Sequence, residues 1–580
     1  MRVIVKKVDL MADSSKSRRL PIGKDDYKKI IDEDCVYIDK TLLVKEFWDS
    51  GSEVVLITRP RRFGKSSALS MIRYFFEKTE KSTAYLFEKS KIWQEKGFKE
   101  LQGTHPVIFI SFKDIIAKTW EESYEKIKSI LAEEVRRTLK PLEDKMAKDY
   151  KKNYEALINE TATTTKFEES LFFISKVFKE CLNMNTIILI DEYDAPITHS
   201  YVHGFYNKMI EFMRQLLSKA LKGNSHLQKC LMTGVVRTAK DGILSGLNNP
   251  DIYTMLEAGY SDKVGFTETE VDELLQSFDY SNKKEELRSW YNGYVIGSKH
   301  GTLTKVYNPW SVLQYINNTC TPETYWANTG STDLLVRLIL EADETTQKEL
   351  TLLLEGKALE NKLINQDVIL LDLDKKNIEP WSFLFFAGYL TASKHVFQDD
   401  KHHYTLTVPN KEITSSYKKL VLDAISKTTT SSTLSNLLSA LIEGNIPFVN
   451  KLLGEIIISL CSSHDLTQDS PERSLHMFVL GLLASLSERF VIKSNLESGL
   501  GRYDIAMYPK RGDPAILIEF KKGKNVKLDK IADQALEQIT LNKYESSLKD
   551  FGYKGPVLCY GVATFKKHLV AKMKKLSVLS

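Results

Sequence analysis

The chain lacks most of the marks of secreted, membrane-embedded or metal-scaffolded proteins. No apolar run approaches the roughly 18–20 residues that a membrane span needs. Its basic start, Met1 to Leu20, carries no secretory hydrophobic segment, so secretion and membrane insertion are disfavoured and a cytoplasmic location is expected. Six cysteines are spread over 580 residues, at Cys35, Cys181, Cys230, Cys320, Cys461 and Cys559. With no C-x-x-C pair they spell neither a zinc knuckle nor a disulfide framework, and they read as reduced core residues. The 11 histidines are scattered too. His402 and His403 are adjacent, but on a strand they face opposite sides, which makes a poor chelate. Charge of one sign is also missing: Lys+Arg 81 against Asp+Glu 76 leaves +5. Any polyanion argument must therefore come from local clusters. No internal repeat is present.

What remains is globular composition, 42% apolar and 27% charged. At roughly 100–200 residues per domain, about three or four units are expected. Glu53–Thr58, His105–Ser111 and Thr186–Ile190 are nearly continuous Ile/Val/Leu runs separated by helical patterns, which predicts a parallel sheet covered on both faces. Ala117 to Cys181 is charged and mostly helical, broken at the Thr161–Thr165 cluster, read as a loop. Beyond Phe266-Thr267 a helical period is interrupted by the aromatic turns Trp290–Tyr294 and Tyr307–Trp310. Lys427–Thr433 has linker composition, and could equally be a loop between helices. The last part predicts helix Pro471–Ser487, strands Phe490–Ser494, Arg502–Tyr508 and Ala515–Lys521, helix Lys530–Lys543 and strand Val557–Tyr560.

Arg59-Pro-Arg-Arg-Phe-Gly-Lys-Ser66 follows a strand and opens a helix, the setting in which backbone amides and a helix N-terminus face an anion. Arg62, Gly64, Lys65, Ser66 and Ser67 are the candidate nucleotide contacts, with Lys65 reaching the β/γ-phosphates and Ser66 holding Mg²⁺. The first glycine of the usual phosphate loop is replaced by Arg59, and Arg61 and Arg62 could be solvated loop charges. Thr186–Glu192 is a buried strand ending in two acids. Asp191 would stand by the Mg²⁺ and Glu192 would polarise the attacking water. Lys229–Gly234 is a further strand; Thr233 would sense the γ-phosphate, with Arg237 just beyond.

Near the C-terminal end, Gly501–Tyr508, a turn, and Ala515–Lys521 form a hairpin. Glu519 and Lys521, two apart on a strand, leave the same face, and Asp504 can return beside them. Two carboxylates and a lysine suit Mg²⁺ or Mn²⁺ and phosphodiester hydrolysis; an E-x-K on a strand can also be a surface ion pair. Glu472, His476, Gln538 and Tyr544 are possible helpers. Lys510, Arg511, Lys522, Lys524, Lys527 and Lys530 are locally basic, as are Lys566, Lys567, Lys572, Lys574 and Lys575, the expected footprint of a nucleic acid.

With these residues assembled, the sequence resembles the family joining an AAA-ATPase-like domain to a C-terminal PD-(D/E)XK nuclease-like domain. The likeness runs through Leu20–Gly23, Val36–Thr41, Arg59–Ser66, Asp191–Pro196, Ser245–Asn249, Gly265–Thr267, Tyr307–Trp310, Phe385–Leu390 and the hairpin. It implies an α/β multidomain fold: a P-loop parallel sheet with a helical or winged-helix lid, and a restriction-endonuclease-like α/β domain. The corresponding division is a basic tail 1–19, ATPase domain 20–266, lid 267–331, mixed helical connector 332–440 and nuclease-like domain 441–580. It also implies ATP at Lys65, Ser66 and Asp191 and a metal at Asp504, Glu519 and Lys521. Asn495 stands where an acid is expected, and Val264 replaces an aromatic before Gly265. The expectation is an ATPase that regulates a metal-dependent nuclease acting on DNA rather than RNA. The competing readings are an ATP-switched binding module with an inactive nuclease-like domain, and a toxin or defence component. Oligomeric state is not written in the chain.

Overall fold

The computed structural model describes residues 19–236, 250–301, 303–326, 344–366, 380–426, 431–462, 489–498, 501–523, 527–541, 553–565 and 568–576. They fall into two units, one within 1–329 and 360–413, the other within 330–359 and 414–580.

Runs of Val, Ile and Leu that are apolar on both faces belong in the middle of a layered sheet, and the first unit uses them so. Strands β1 (Val54–Thr58), β2 (Val107–Ser111), β3 (Thr186–Asp191), β4 (Leu227–Gly234) and β5 (Asp251–Tyr253) form a parallel sheet in the order β2-β3-β4-β1-β5. Every residue of β1 and β3 is buried. Its helices include α1 (Lys65–Phe76), α2 (Trp120–Leu139), α3 (Ser170–Leu182) and α4 (Tyr206–Leu221). In α2, Ile127, Leu131, Val135 and Leu139 recur at four-residue intervals and are buried. Glu121 and Glu122 open that helix and Arg136 and Arg137 close it, matching its dipole. The Thr161–Thr165 cluster is only partly a loop, because a short helix starts at Thr164. Threonines serve a helix entry as readily as a turn.

Next come β6 (Phe266–Thr267), α5 (Glu268–Ser277), α6 (Lys284–Tyr291), β7 (Tyr294–Ile296), β8 (Thr304–Tyr307) and α7 (Pro309–Asn317), with an antiparallel sheet in the order β6-β8-β7. A capping box of Thr267 and Glu270 fixes the start of α5. The Asn308 side chain caps α7, whose first residue is Pro309. Leu274, Leu287, Tyr291, Val312 and Tyr315 share the local core. Val264 is buried, a packing position. Farther on are β9 (Leu359–Leu363), α8 (Trp381–Ala387) and the hairpin of β10 (Thr391–Gln398) and β11 (Lys401–Thr407).

Helix α9 (Lys411–Ser426) carries the chain from the first unit into the second. There, α10 (Ser431–Glu443) and α11 (Ile446–Ser462) precede a sheet of β12 (Phe490–Ser498), β13 (Gly501–Pro509), β14 (Ala515–Lys522), β15 (Val557–Phe565) and β16 (His568–Leu576), paired in that order. Strands β12 to β14 form an antiparallel meander, β14 and β15 are parallel, and β16 returns antiparallel. The parallel pair is joined through α12 (Asp529–Leu541), which buries Ala532, Ala535 and Ile539. A Cβ at Gly561 would come within 2.2 Å of the Ala532 carbonyl, so this close helix–sheet approach requires glycine. Edge strand β16 is closed by Asn450, whose side-chain amide donates to the Ala571 carbonyl (2.9 Å) and accepts from its N–H (2.7 Å).

The expected helix Pro471–Ser487, with Glu472 and His476, lies outside the described residues, as do the N-terminal residues 1–18, Ser245–Asn249, Arg237 and Tyr544.

Candidate nucleotide site and candidate nuclease site

Parallel strands deliver their carboxyl ends to one edge of a sheet, where α/β proteins bind ligands. Register puts Ser111 beside Asp191, and Ile57 beside Thr233. The result is a hydroxyl ring around one acid. Asp191, 1% exposed, accepts from Ser66 Oγ (2.6 Å), Thr233 Oγ1 (2.7 Å) and Ser111 Oγ (3.5 Å). The Ser66 contact joins the phosphate loop to the acidic strand.

Gly64, at φ +86°, turns the loop into α1. Lys65, Ser66 and Ser67 then lie in the first turn, where amides seek acceptors outside the helix. Lys65 is buried, and its ammonium donates to the carbonyls of Arg59 (3.0 Å) and Pro60 (2.9 Å). Burial pulls its pKa down, opposed by the charges of Glu192, Asp191 and Asp194. Glu192 follows β3 in a left-handed conformation, φ +50°. Burial raises its carboxyl toward neutrality, against the pull of Lys65. Asp194, within the Asp191–Pro196 stretch, has no role assigned from the sequence. It accepts from the amides of Val235 and Val236, both at 2.9 Å, and so holds the turn that follows Thr233.

Arg59 explains the missing glycine. Its side chain is fully buried, and its guanidinium donates to the carbonyls of Thr58 (2.9 Å), Tyr253 (3.0 Å), Thr254 (3.1 Å), Tyr260 (3.3 Å) and Gly259 (3.5 Å). Burial pushes its pKa down to about 10. The arginine thus staples the loop's base to the segment after β5 rather than facing the anion. Arg59→Ala would strand several buried carbonyls, each worth about 1 kcal/mol. A loss of roughly 2–5 kcal/mol in denaturant unfolding is expected. Arg62 is exposed, at φ +66°, with its guanidinium 4.6 Å above the Trp310 ring.

The donor set fits Mg²⁺ with a phosphate chain: a carboxylate, a hydroxyl 2.6 Å from it, and a buried ammonium beside first-turn amides.

In the second unit, Glu519 is 4% exposed and Lys521 half-buried on β14. Ala515 and Leu517 pack in one cluster with Ile539 and Leu536 of α12, so the same-parity Glu519 and Lys521 lie on the face that α12 covers. Pairing of Ile505 with Ile518 places Asp504 at the register position opposite Glu519. Asn495 occupies β12 between Ser494 and Leu496, whose partners are Ile505 and Tyr503, which flank Asp504. The side chains of Asp504 and Asn495 lie outside the description. Gln538 is half-buried on α12. Among the described residues no three His, Cys, Asp or Glu side chains gather as a metal cluster. Across the β10–β11 hairpin, His402 Nδ1 meets His395 Nε2 at 2.7 Å, a diagonal contact between residues whose register partners are Phe397 and Tyr404.

The basic residues divide by position. Exposed Lys522, Lys527 and Lys530 lie at the carboxyl end of β14, beside Lys521, whereas exposed Lys510 and Arg511 occupy the turn at its other end. Lys572 is committed to Asp533 at 2.7 Å. The turn is braced by Arg489, which bonds Asp513 at 2.6 and 2.7 Å.

The five-stranded parallel sheet fits a P-loop ATPase-like unit, and the mixed sheet of the second unit an α/β nuclease-like one. Residues 21–244 match the model of the predicted AAA-ATPase family, and residues 470–574 that of the PD-(D/E)XK nuclease superfamily. The chain joins an AAA-ATPase-like domain to a C-terminal PD-(D/E)XK nuclease domain. It is 27% identical over 410 residues to the uncharacterised protein in the vnfD 5′ region of Azotobacter chroococcum mcd 1, covering 70% of each chain. No described helix is long and apolar enough to cross a membrane.

Proposed function

We propose that the chain is an ATPase whose nucleotide state regulates a metal-dependent phosphodiesterase acting on DNA. The observation that carries the first half is the Asp191 carboxylate held by Ser66, Thr233 and Ser111 at the strand ends, with Lys65 buried beside it. Lys65 exchanges its loop carbonyls for β/γ-phosphate oxygens, and the first-turn amides of Ser66 and Ser67 complete the anion cradle. Ser66 and Asp191 hold Mg²⁺, which neutralises charge developing on the transferred phosphoryl group. Glu192, its carboxyl raised by burial, accepts the proton of the attacking water. Thr233 reports on the γ-phosphate to the turn that Asp194 holds. Residues 267–331 act as the lid, and 332–440 link it to the nuclease-like domain.

For the second half, Asp504 and Glu519 bind Mg²⁺ or Mn²⁺, and Lys521 steadies the nucleophile or a phosphate oxygen. Their shared face of the sheet and the exposed lysines at that strand end support this reading. The test is a nuclease assay with Mg²⁺ and Mn²⁺ on single- and double-stranded DNA and RNA, with and without ATP. Cutting that depends on metal and shifts with ATP is expected; cutting indifferent to ATP would refute the regulation. Asn495 in place of an acid favours a second reading, in which the domain grips nucleic acid without cutting. Salt-dependent binding with no cleavage under any of these conditions would select it.

A further inference from the structure

Behind the phosphate loop, four chain segments close a ring of hydrogen bonds. The Arg61 carbonyl accepts from Asn308 Nδ2 and from Trp326 Nε1, both at 3.2 Å. Asn308 Oδ1 accepts from the Ser311 amide (3.2 Å), and Ser311 Oγ donates to Glu412 Oε2 (2.8 Å). The Trp326 amide donates to Glu412 Oε1 (2.8 Å), which completes the circuit. Asn308, Ser311 and Glu412 are all fully buried. The loop is held alongside by Phe63, which packs edge-on against Tyr294 at 5.0 Å, and by Arg62 over Trp310.

A buried carboxylate is costly, and neutral packing would be easier to accommodate. Glu412 sits where both of its oxygens receive donors from elements that themselves grip Arg61. This matters because Lys65 bonds the two preceding carbonyls, those of Arg59 and Pro60. When the ammonium leaves them for a phosphate, those peptides lose their restraint, and the next carbonyl is the one the ring fixes. Glu412 also occupies the first turn of α9, through which the chain enters the second unit.

We propose that Glu412 is a positioning residue for nucleotide turnover: acting through Trp326, Ser311 and Asn308, it fixes the phosphate loop in its anion-binding form and passes the state of that loop to α9. This rests on the ATPase reading above. Glutamine keeps one accepting oxygen and presents an N–H at the other. The Ser311 hydroxyl can rotate to accept from that N–H, whereas the Trp326 amide needs an oxygen.

Burial pushes the Glu412 carboxyl up to about 7, against the bonds from Trp326 and Ser311. The titratable groups around it are Tyr291 on α6, Tyr294 on β7 and Tyr325, all with phenols pushed further above neutrality, partly by its charge. Between pH 6 and 8 the ring's titration is therefore that of Glu412. Its ionised form accepts both donors and holds the loop more tightly, so the wild type should bind ATP better at the higher pH. Stability runs the other way. A carboxyl raised on folding contributes stability below its ordinary pKa of 4.5 that is lost as pH rises through about 7.

The experiment measures KM and kcat for ATP, and melting temperature, at pH 6, 7 and 8 for the wild type and for Glu412→Ala, Glu412→Gln and Trp326→Phe. Glu412→Ala is expected to raise KM roughly tenfold with a smaller change in kcat, and Glu412→Gln to recover most of that loss. The ratio of wild-type to Glu412→Gln KM should change with pH, a comparison that cancels the titration of ATP itself. Should Glu412→Ala fail to fold, Trp326→Phe, which removes the indole donor to Arg61 and leaves the backbone amide on Glu412, carries the test. Its effect should match that of Glu412→Ala in kind, a raised KM with a smaller change in kcat. A folded Glu412→Ala with wild-type KM, or a Trp326→Phe with wild-type KM, overturns the role of Glu412 and leaves the ATPase reading standing. A wild type that neither binds nor turns over ATP overturns both.

Discussion

Lys65→Ala is expected to abolish ATP turnover, by roughly 10²–10³-fold or more, while the protein stays folded. The ammonium is a buried cation beside Asp191 and Glu192 in the nucleotide site, and both acids act on its pKa. Without it, the phosphate chain would meet two carboxyl groups with less compensating charge. The fold should tolerate the loss, because burial already disfavours the charged amine, and removing it relieves a desolvation cost even as the Arg59 and Pro60 carbonyls lose a donor. Melting temperature without nucleotide should therefore move little, and the stabilisation that added ATP gives the wild type should vanish. The same variant tests regulation: DNA cleavage should lose its dependence on ATP. Cleavage that still responds to ATP in a variant unable to bind it would sink the coupling.

The parts of this protein legible in its sequence are those governed by local rules. The buried strands announced themselves as unbroken β-branched runs, and β1, β2 and β3 lie within a residue or two of where the pattern puts them. The Gly64-Lys65-Ser66 turn and the carboxylates at the end of β3 were visible for the same reason: each is a short motif at a strand end. The hairpin of β13 and β14 followed from alternation, and with it the common face of Glu519 and Lys521.

What escaped depends on partners far away in the chain. Arg59 stood only as a departure from the usual first glycine, yet its guanidinium is consumed by carbonyls some two hundred positions on, which no spacing rule reveals. Lys572 looked like part of a free basic tail and is instead in edge strand β16, paired with Asp533. A run rich in lysine has weak strand propensity, and only the neighbouring β15 and the clasp of Asn450 make it a strand. Glu412 lies at the start of an ordinary helix and gives no hint that it meets Trp326 and Ser311. In each case the partner that fixes the charge comes from a distant segment, which local pattern does not reveal.

Asp504→Ala and Lys521→Ala should each remove metal-dependent DNA cleavage, by roughly 10³-fold or more, and leave ATP turnover at the wild-type level. The register sets Asp504 opposite Glu519, and Lys521 is one pleat along on the same face; in the proposed site the carboxylates hold the metal and the lysine the nucleophile or phosphate. Loss of Asp504 takes away a metal ligand, and excess Mn²⁺, which binds nitrogen and oxygen sites more tightly than Mg²⁺, should recover part of the rate. Loss of Lys521 takes away the group that steadies the nucleophile or phosphate, and no metal should restore it. Lys521 is only half-buried, so its removal should cost little stability, and melting curves should separate chemistry from folding. DNA binding at low salt should weaken modestly, because exposed Lys522, Lys527 and Lys530 remain at the same end of β14. If both variants cut DNA as the wild type does, the phosphodiesterase centre is not on this face of the sheet. If the wild type binds DNA and never cuts it, the shared face holds a nucleic acid rather than hydrolysing one, and Asn495 becomes the first position at which to restore an acid.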